Sequence, residues 1–73
     1  MESLEDIYRL VGKNVKKYRL EKGLSIKELS EKSHVSEKYL MKIENCEAKK
    51  LILTKIISIA DAMNIYVREL FSE

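Results

Sequence analysis

The chain has 73 residues, 45% of them hydrophobic and 36% charged, with a formal net charge of +2. That composition suits one small folded domain over residues 1–73 and excludes a disordered polyelectrolyte. A single cysteine, Cys46, excludes an internal disulfide framework and a Cys-rich zinc site.

No stretch approaches ~18 consecutive apolar residues, and Glu2, Glu5 and Asp6 make the start acidic rather than basic. A membrane span, a membrane partner and a signal peptide are therefore not expected, and a cytoplasmic location is. There is no glycine-rich phosphate loop and no metal-ligand spacing. The chain is not expected to be an enzyme, to carry a metal or cofactor, or to bind a small-molecule ligand. A domain this small buries only about 60% of its unfolded surface, so a second copy would be a useful source of stability.

Ser3 with Asp6 three residues on reads as a capping box, which starts a first helix near Leu4. Leu4, Ile7, Val11, Val15 and Tyr18 continue one apolar stripe at spacings of three and four, opposite Lys13, Lys16, Lys17 and Lys22. Gly23 ends the helix as the residue beyond its C-cap. A second capping box, Ser25 with Glu28, opens a helix whose Ile26, Leu29 and Ser30 can face a core, and which stops near Ser33–His34. Ser36 then caps a helix with Tyr39, Leu40 and Ile43 at helical spacing and Lys38 and Lys42 turned outward.

Two short amphipathic helices joined by a tight turn, over residues 25–44, have the layout of a helix-turn-helix. An ordinary corner between helices in a bundle is the alternative. Arg19, one turn before Gly23, and Glu44, at the end of the motif, are expected to form a bidentate, partly buried pair between the first and third helices. Residues 45–50 are a polar connector. A greasy helix follows, with Leu53, Ile56, Ala60 and Met63 on one face and Ile52, Ile57 and Ile59 widening it. It is expected to be central to the core, with a contact to another chain as the alternative. Asn64 reads as its end and Tyr66–Phe71 as a short last helix. Five helices and no strands make an all-α domain.

With the helices placed, the sequence resembles the Cro/lambda-repressor-like (xenobiotic-response-element type) family of helix-turn-helix transcriptional regulators. The resemblance runs from about Val11 to Phe71, through VGKNVKKYRLEKGLSIKELSEKS, VSEKYLMKIEN and IADAMNIYVRELF. It implies the compact five-helix fold of that family and double-stranded DNA as the partner, bound by a homodimer whose third helix lies in the major groove. The positions matching that helix's base-edge residues are Ser36, Glu37, Lys38 and Lys42, with Tyr39 as a neighbour. Lysines at such positions can donate to guanine and a glutamate can accept from cytosine. Phosphate contacts fall on Ser25 and the Ile26 amide at the second helix's start, and on Asn45, Lys49 and Lys50 in the following loop. The family's Arg–Glu pair falls on Arg19 and Glu44.

The chain departs from the family pattern in four places. Ile26 stands where many members have glutamine, and His34 and Cys46 stand at turn positions often filled by glycine. Lys50-Leu51-Ile52 replaces the usual Asn-Pro-Ser before the fourth helix. The apolar Leu51 and Ile52 suggest a partner surface, and Tyr66 and Phe71 are further dimer candidates, as is Leu4–Leu10. Glu37 and Glu47 dilute the basic field that would face DNA. A protein-interaction module on the same fold is therefore the second expectation.

Overall fold

The computed structural model describes residues 3–73; Glu2, one of the three acidic residues at the start, lies outside them. Four α-helices precede one 3-10 helix: α1 (Leu4–Glu21), α2 (Ile26–Ser33), α3 (Glu37–Glu44), α4 (Leu53–Ala62) and the 3-10 turn Val67–Phe71. The described residues contain no strand. No helix among them is long and apolar enough to cross a membrane.

Serines start the first three helices. Ser3 and Ser25 complete reciprocal capping boxes with Asp6 and Glu28, and the Ser36 hydroxyl accepts the Tyr39 amide at 3.1 Å. α4 differs, because Ile52 at its N-cap has no side-chain acceptor to offer.

Three helix ends share one geometry. After α1, α3 and α4 the chain turns left-handed at Gly23 (φ 69°), Cys46 (φ 60°) and Asn64 (φ 57°). Beyond each, an amide folds back onto the helix, from Leu24 to the Arg19 carbonyl, Glu47 to Lys42 and Ile65 to Ala60. That is the Schellman arrangement, which satisfies carbonyls a helix end would otherwise leave open.

α1 lies against α3 and the 3-10 helix, while α4 packs on α2 and the 3-10 helix. Val11 and Val15 of α1, Leu29 of α2, Leu40 and Ile43 of α3, Ile56, Ile59 and Met63 around α4, and Leu70 are buried together. Each such aliphatic side chain contributes about 1.5–3 kcal/mol relative to exposure. Gly12 lets α1 approach α3 closely, because a Cβ there would run into the main-chain carbonyl of Ile43. Beside it, buried Asn14 donates to the carbonyls of Leu70 and Ser72 at 3.0 and 2.8 Å, which fastens the C-terminal turn to α1.

The last element forms as a 3-10 rather than an α-helix, since a five-residue turn has little room for i→i+4 pairing. Two residues of the expected core stripes also lie outside. Leu4 is 70% exposed because the first turn of α1 overhangs the packed region, and Leu53 is 61% exposed. Leu53 opens α4 about 60° around the axis from Ile56, at the edge of the buried face. The rest of the greasy helix divides in the same way, with Ile59 buried and Ile52 and Ile57 exposed.

Candidate nucleic-acid interface

The turn between α2 and α3 is made by His34, Val35 and Ser36. His34 takes the left-handed conformation (φ 60°, ψ 25°), and its amide donates to the Ser30 carbonyl at 2.9 Å. The Ser30 hydroxyl donates to the Val35 carbonyl at 2.6 Å, and the Val35 amide donates to the Ser33 hydroxyl at 3.2 Å. With Val35 buried between the helices, the turn is held by packing and by two serines, so a histidine replaces glycine without opening it.

One guanidinium gathers three parts of the motif. Arg19 Nε and Nη2 donate to Glu44 Oε2 and Oε1 at 2.7 and 3.0 Å, and its Nη1 donates to the Leu24 carbonyl at 2.8 Å. The start of α2 and the end of α3 are thus held against α1 by the same side chain. The two charged side chains are 11% and 6% exposed, and the carboxylate raises the Arg19 pKa above its already high ordinary value. Arg19 therefore stays charged in the folded protein.

At the start of α2, Ser25 and Glu28 satisfy each other's amides at 2.9 and 3.0 Å. These hydrogen bonds hold the Glu28 carboxyl below its usual pKa, so it stays charged beside the helix start. The open donors of this first turn are the amides of Ile26 and Lys27, not that of Ser25. Exposed Lys27 offers a second charge there, outside the set expected from the sequence.

The outward face of α3 carries Glu37, Lys38, Met41 and Lys42, all exposed, with Asn45 as the C-cap below them. Met41 is also outside the expected set, although its spacing of four from Glu37 and its neighbour Lys42 are signals that place it there. Half-buried Tyr39 is not on that face. Its hydroxyl donates to the Lys50 carbonyl at 2.9 Å and accepts the Ile52 amide at 2.9 Å. Over its ring, at 4.9 Å from the centroid, lies the ammonium of Lys55, another cation outside the expected set.

Exposed Lys49 and Lys50 follow in the connector, so the loop bearing them runs alongside α3. Of the dimer candidates, Leu51 is half-buried against the core, whereas Ile52, Tyr66 and Phe71 are exposed, as are Leu53 and Ile57 of α4. No group of three or more metal-ligating side chains comes together among the described residues.

This geometry agrees with what the chain is similar to. A helix-turn-helix family model matches residues 15–70. The chain is 49% identical over 35 residues to the HTH-type transcriptional regulators SinR of Bacillus subtilis (strain 168) and of Bacillus licheniformis. That stretch is 48% of this chain and 32% of SinR, so the match spans about a third of those proteins. Among solved structures, the restriction-modification controller protein C.AhdI from Aeromonas hydrophila superposes with a TM-score of 0.82 at 30% identity, covering 88% of this chain and 96% of that one. A SinR–SinI protein complex superposes at 0.81 and 32% identity, covering 86% of this chain and 61% of that one. With its two-helix motif, its Arg19–Glu44 tie and a family match over most of its length, the chain belongs to the Cro/lambda-repressor-like family of helix-turn-helix regulators, not to an enzyme family.

Proposed function

We propose that this protein is a cytoplasmic, sequence-specific DNA-binding regulator, acting as a repressor, that works as a homodimer with α3 in the major groove. The observation that carries the reading is the exposed face of Glu37, Lys38, Met41 and Lys42 on a helix held by buried contacts at its back. Lys38 and Lys42 can donate to guanine, Glu37 can accept from cytosine, and Met41 suits a thymine methyl group. Ser36 caps α3 and keeps a hydroxyl proton for a phosphate, while the Ile26 and Lys27 amides, Asn45, Lys49 and Lys50 supply further backbone contacts. The exposed apolar residues of α4 with Tyr66 and Phe71 support a second copy. Two such copies would read half-sites ~34 Å apart on one side of the duplex.

The experiment is selection of bound sequences from a random duplex library by the purified protein at moderate salt. An enriched inverted repeat is the expected result. No enrichment from a folded, dimeric protein would favour the second reading, a protein-interaction module. That reading is motivated by the same apolar residues, by Glu28 and Glu37 beside the cations, and by the similarity to the SinR–SinI protein complex. A salt titration separates them, since phosphate neutralisation weakens steeply with salt and an apolar contact does not.

A further inference from the structure

We propose that Tyr39 is the positioning residue of the phosphate-contacting loop: it clamps the start of α4 to the recognition helix and so sets where Lys49 and Lys50 stand. The inference rests on the DNA-binding reading and assigns Tyr39 a task distinct from base contact.

The start of α4 lacks what the starts of α1 and α2 have. In α1 and α2 the third helical residue, Asp6 or Glu28, reaches back to accept the N-cap amide. In α4 that position is Lys55, which has no acceptor, and the N-cap is Ile52. The Ile52 amide is instead accepted by the Tyr39 hydroxyl, at 2.9 Å and thirteen residues away in sequence. Lys55 still takes part, with its ammonium over the same ring at 4.9 Å. One half of the absent capping box, the acceptor for the N-cap amide, is thus supplied from α3.

The same oxygen donates its proton to the Lys50 carbonyl, eleven residues away. Upstream, the Glu47 and Ala48 amides both return to the Lys42 carbonyl, which anchors the loop's first half to α3. Among the described residues, the segment 49–51 takes one hydrogen bond, the one from Tyr39. A phenol has one proton to give and lone pairs to accept, and here both functions are spent on the loop. Without the hydroxyl, the lysine pair loses its hydrogen bond and is held through its neighbours Ala48 and Leu51 by packing, so ordering it on a phosphate would cost more conformational entropy.

The test is a double-mutant cycle between Tyr39→Phe and the paired Lys49→Ala/Lys50→Ala, read as affinity for a random-sequence duplex pool across a salt series. Tyr39→Phe is expected to weaken binding alike on all sequences and to flatten the log–log salt dependence by about 0.9 for each phosphate that is no longer neutralised. In the lysine-free background it is expected to change neither, and the base ranking of the retained pool is expected to stay as in the wild type. An unchanged slope in Tyr39→Phe, additive effects in the cycle, or an altered base ranking would each overturn the proposal. Hydrogen exchange at the Ile52 amide of the wild-type protein gives an arm independent of any variant: protection is expected, and free exchange removes the clamp. Failure of the DNA-binding reading is seen separately, as a wild type with no salt-dependent binding.

Discussion

Arg19 and Glu44 lie twenty-five residues apart and meet through two parallel hydrogen bonds of 2.7 and 3.0 Å, while the third prong of the guanidinium holds the Leu24 carbonyl. A pair so little exposed adds less net stability than its geometry suggests, because both charges are taken out of water. What it fixes is orientation. Removing one partner strands the other, so Glu44→Ala is expected to cost about 3–5 kcal/mol in urea unfolding. Arg19→Met combined with Glu44→Leu is expected to cost less than Glu44→Ala alone, and to weaken DNA binding although the protein folds. A double variant that binds DNA as the wild type does would remove the orienting role.

Gly12 makes the same junction possible by absence. Any side chain there meets the Ile43 carbonyl, and because the obstacle is main chain on the last turn of α3, the helices must separate. Gly12→Ala is expected to destabilise by about 1–3 kcal/mol, the range for overpacked sites. That is opposite in sign to the gain usual for Gly→Ala within a helix. Thermal unfolding measures the sign directly.

Among the described residues, three other than glycine sit in left-handed backbone: His34, Cys46 and Asn64. A left-handed residue with a Cβ costs roughly 1–2 kcal/mol, least for asparagine and less for histidine than for most. Glycine variants are expected to stabilise in the order Cys46→Gly, His34→Gly, Asn64→Gly, with gains of up to about 1 kcal/mol after the larger unfolded-state entropy of glycine is subtracted. Equal changes at all three positions would show that local context outweighs backbone preference.

Lys42 and Lys50 give the two proposed kinds of DNA contact separate tests. Lys42→Ala is expected to lose about 1–3 kcal/mol of discrimination at one base pair of the selected site. Lys50→Ala is expected to weaken binding evenly across sequences. If Lys42→Ala also acts evenly, it contacts only phosphate.

The exposed aliphatics of α4 give the proposed dimer its test. Leu53→Glu with Ile57→Glu places two carboxylates on side chains already in solvent, so the fold is expected to survive. Sedimentation is expected to show about twice the 8.6 kDa chain mass for the wild type and the single mass for the variant. A variant that still dimerises would move the interface to Tyr66 and Phe71.

Much of this molecule is written locally. Ser3, Ser25 and Ser36 announce helix starts because a cap is chosen by residues within one turn, and Gly23 announces an end because its φ is a property of one residue. Spacing alone puts Val11, Val15, Leu29, Leu40 and Ile43 inside and Lys38 and Lys42 outside, since burial along a helix follows its period. The Arg19–Glu44 pair is legible because the helix order brings the end of α1 against the end of α3.

Other features needed the assembled chain. No local pattern says that Gly12 faces a carbonyl thirty-one residues on, that Asn14 fastens the final turn, or that Leu4 and Leu53 fall past the edge of the core. Tyr39 shows the division most clearly: its period reads as a helix face beside the residues proposed for base contact, whereas its hydroxyl is spent on Lys50 and Ile52. Periodicity fixes the direction in which a side chain leaves its helix, but what waits at its tip is decided by the packing of the other helices.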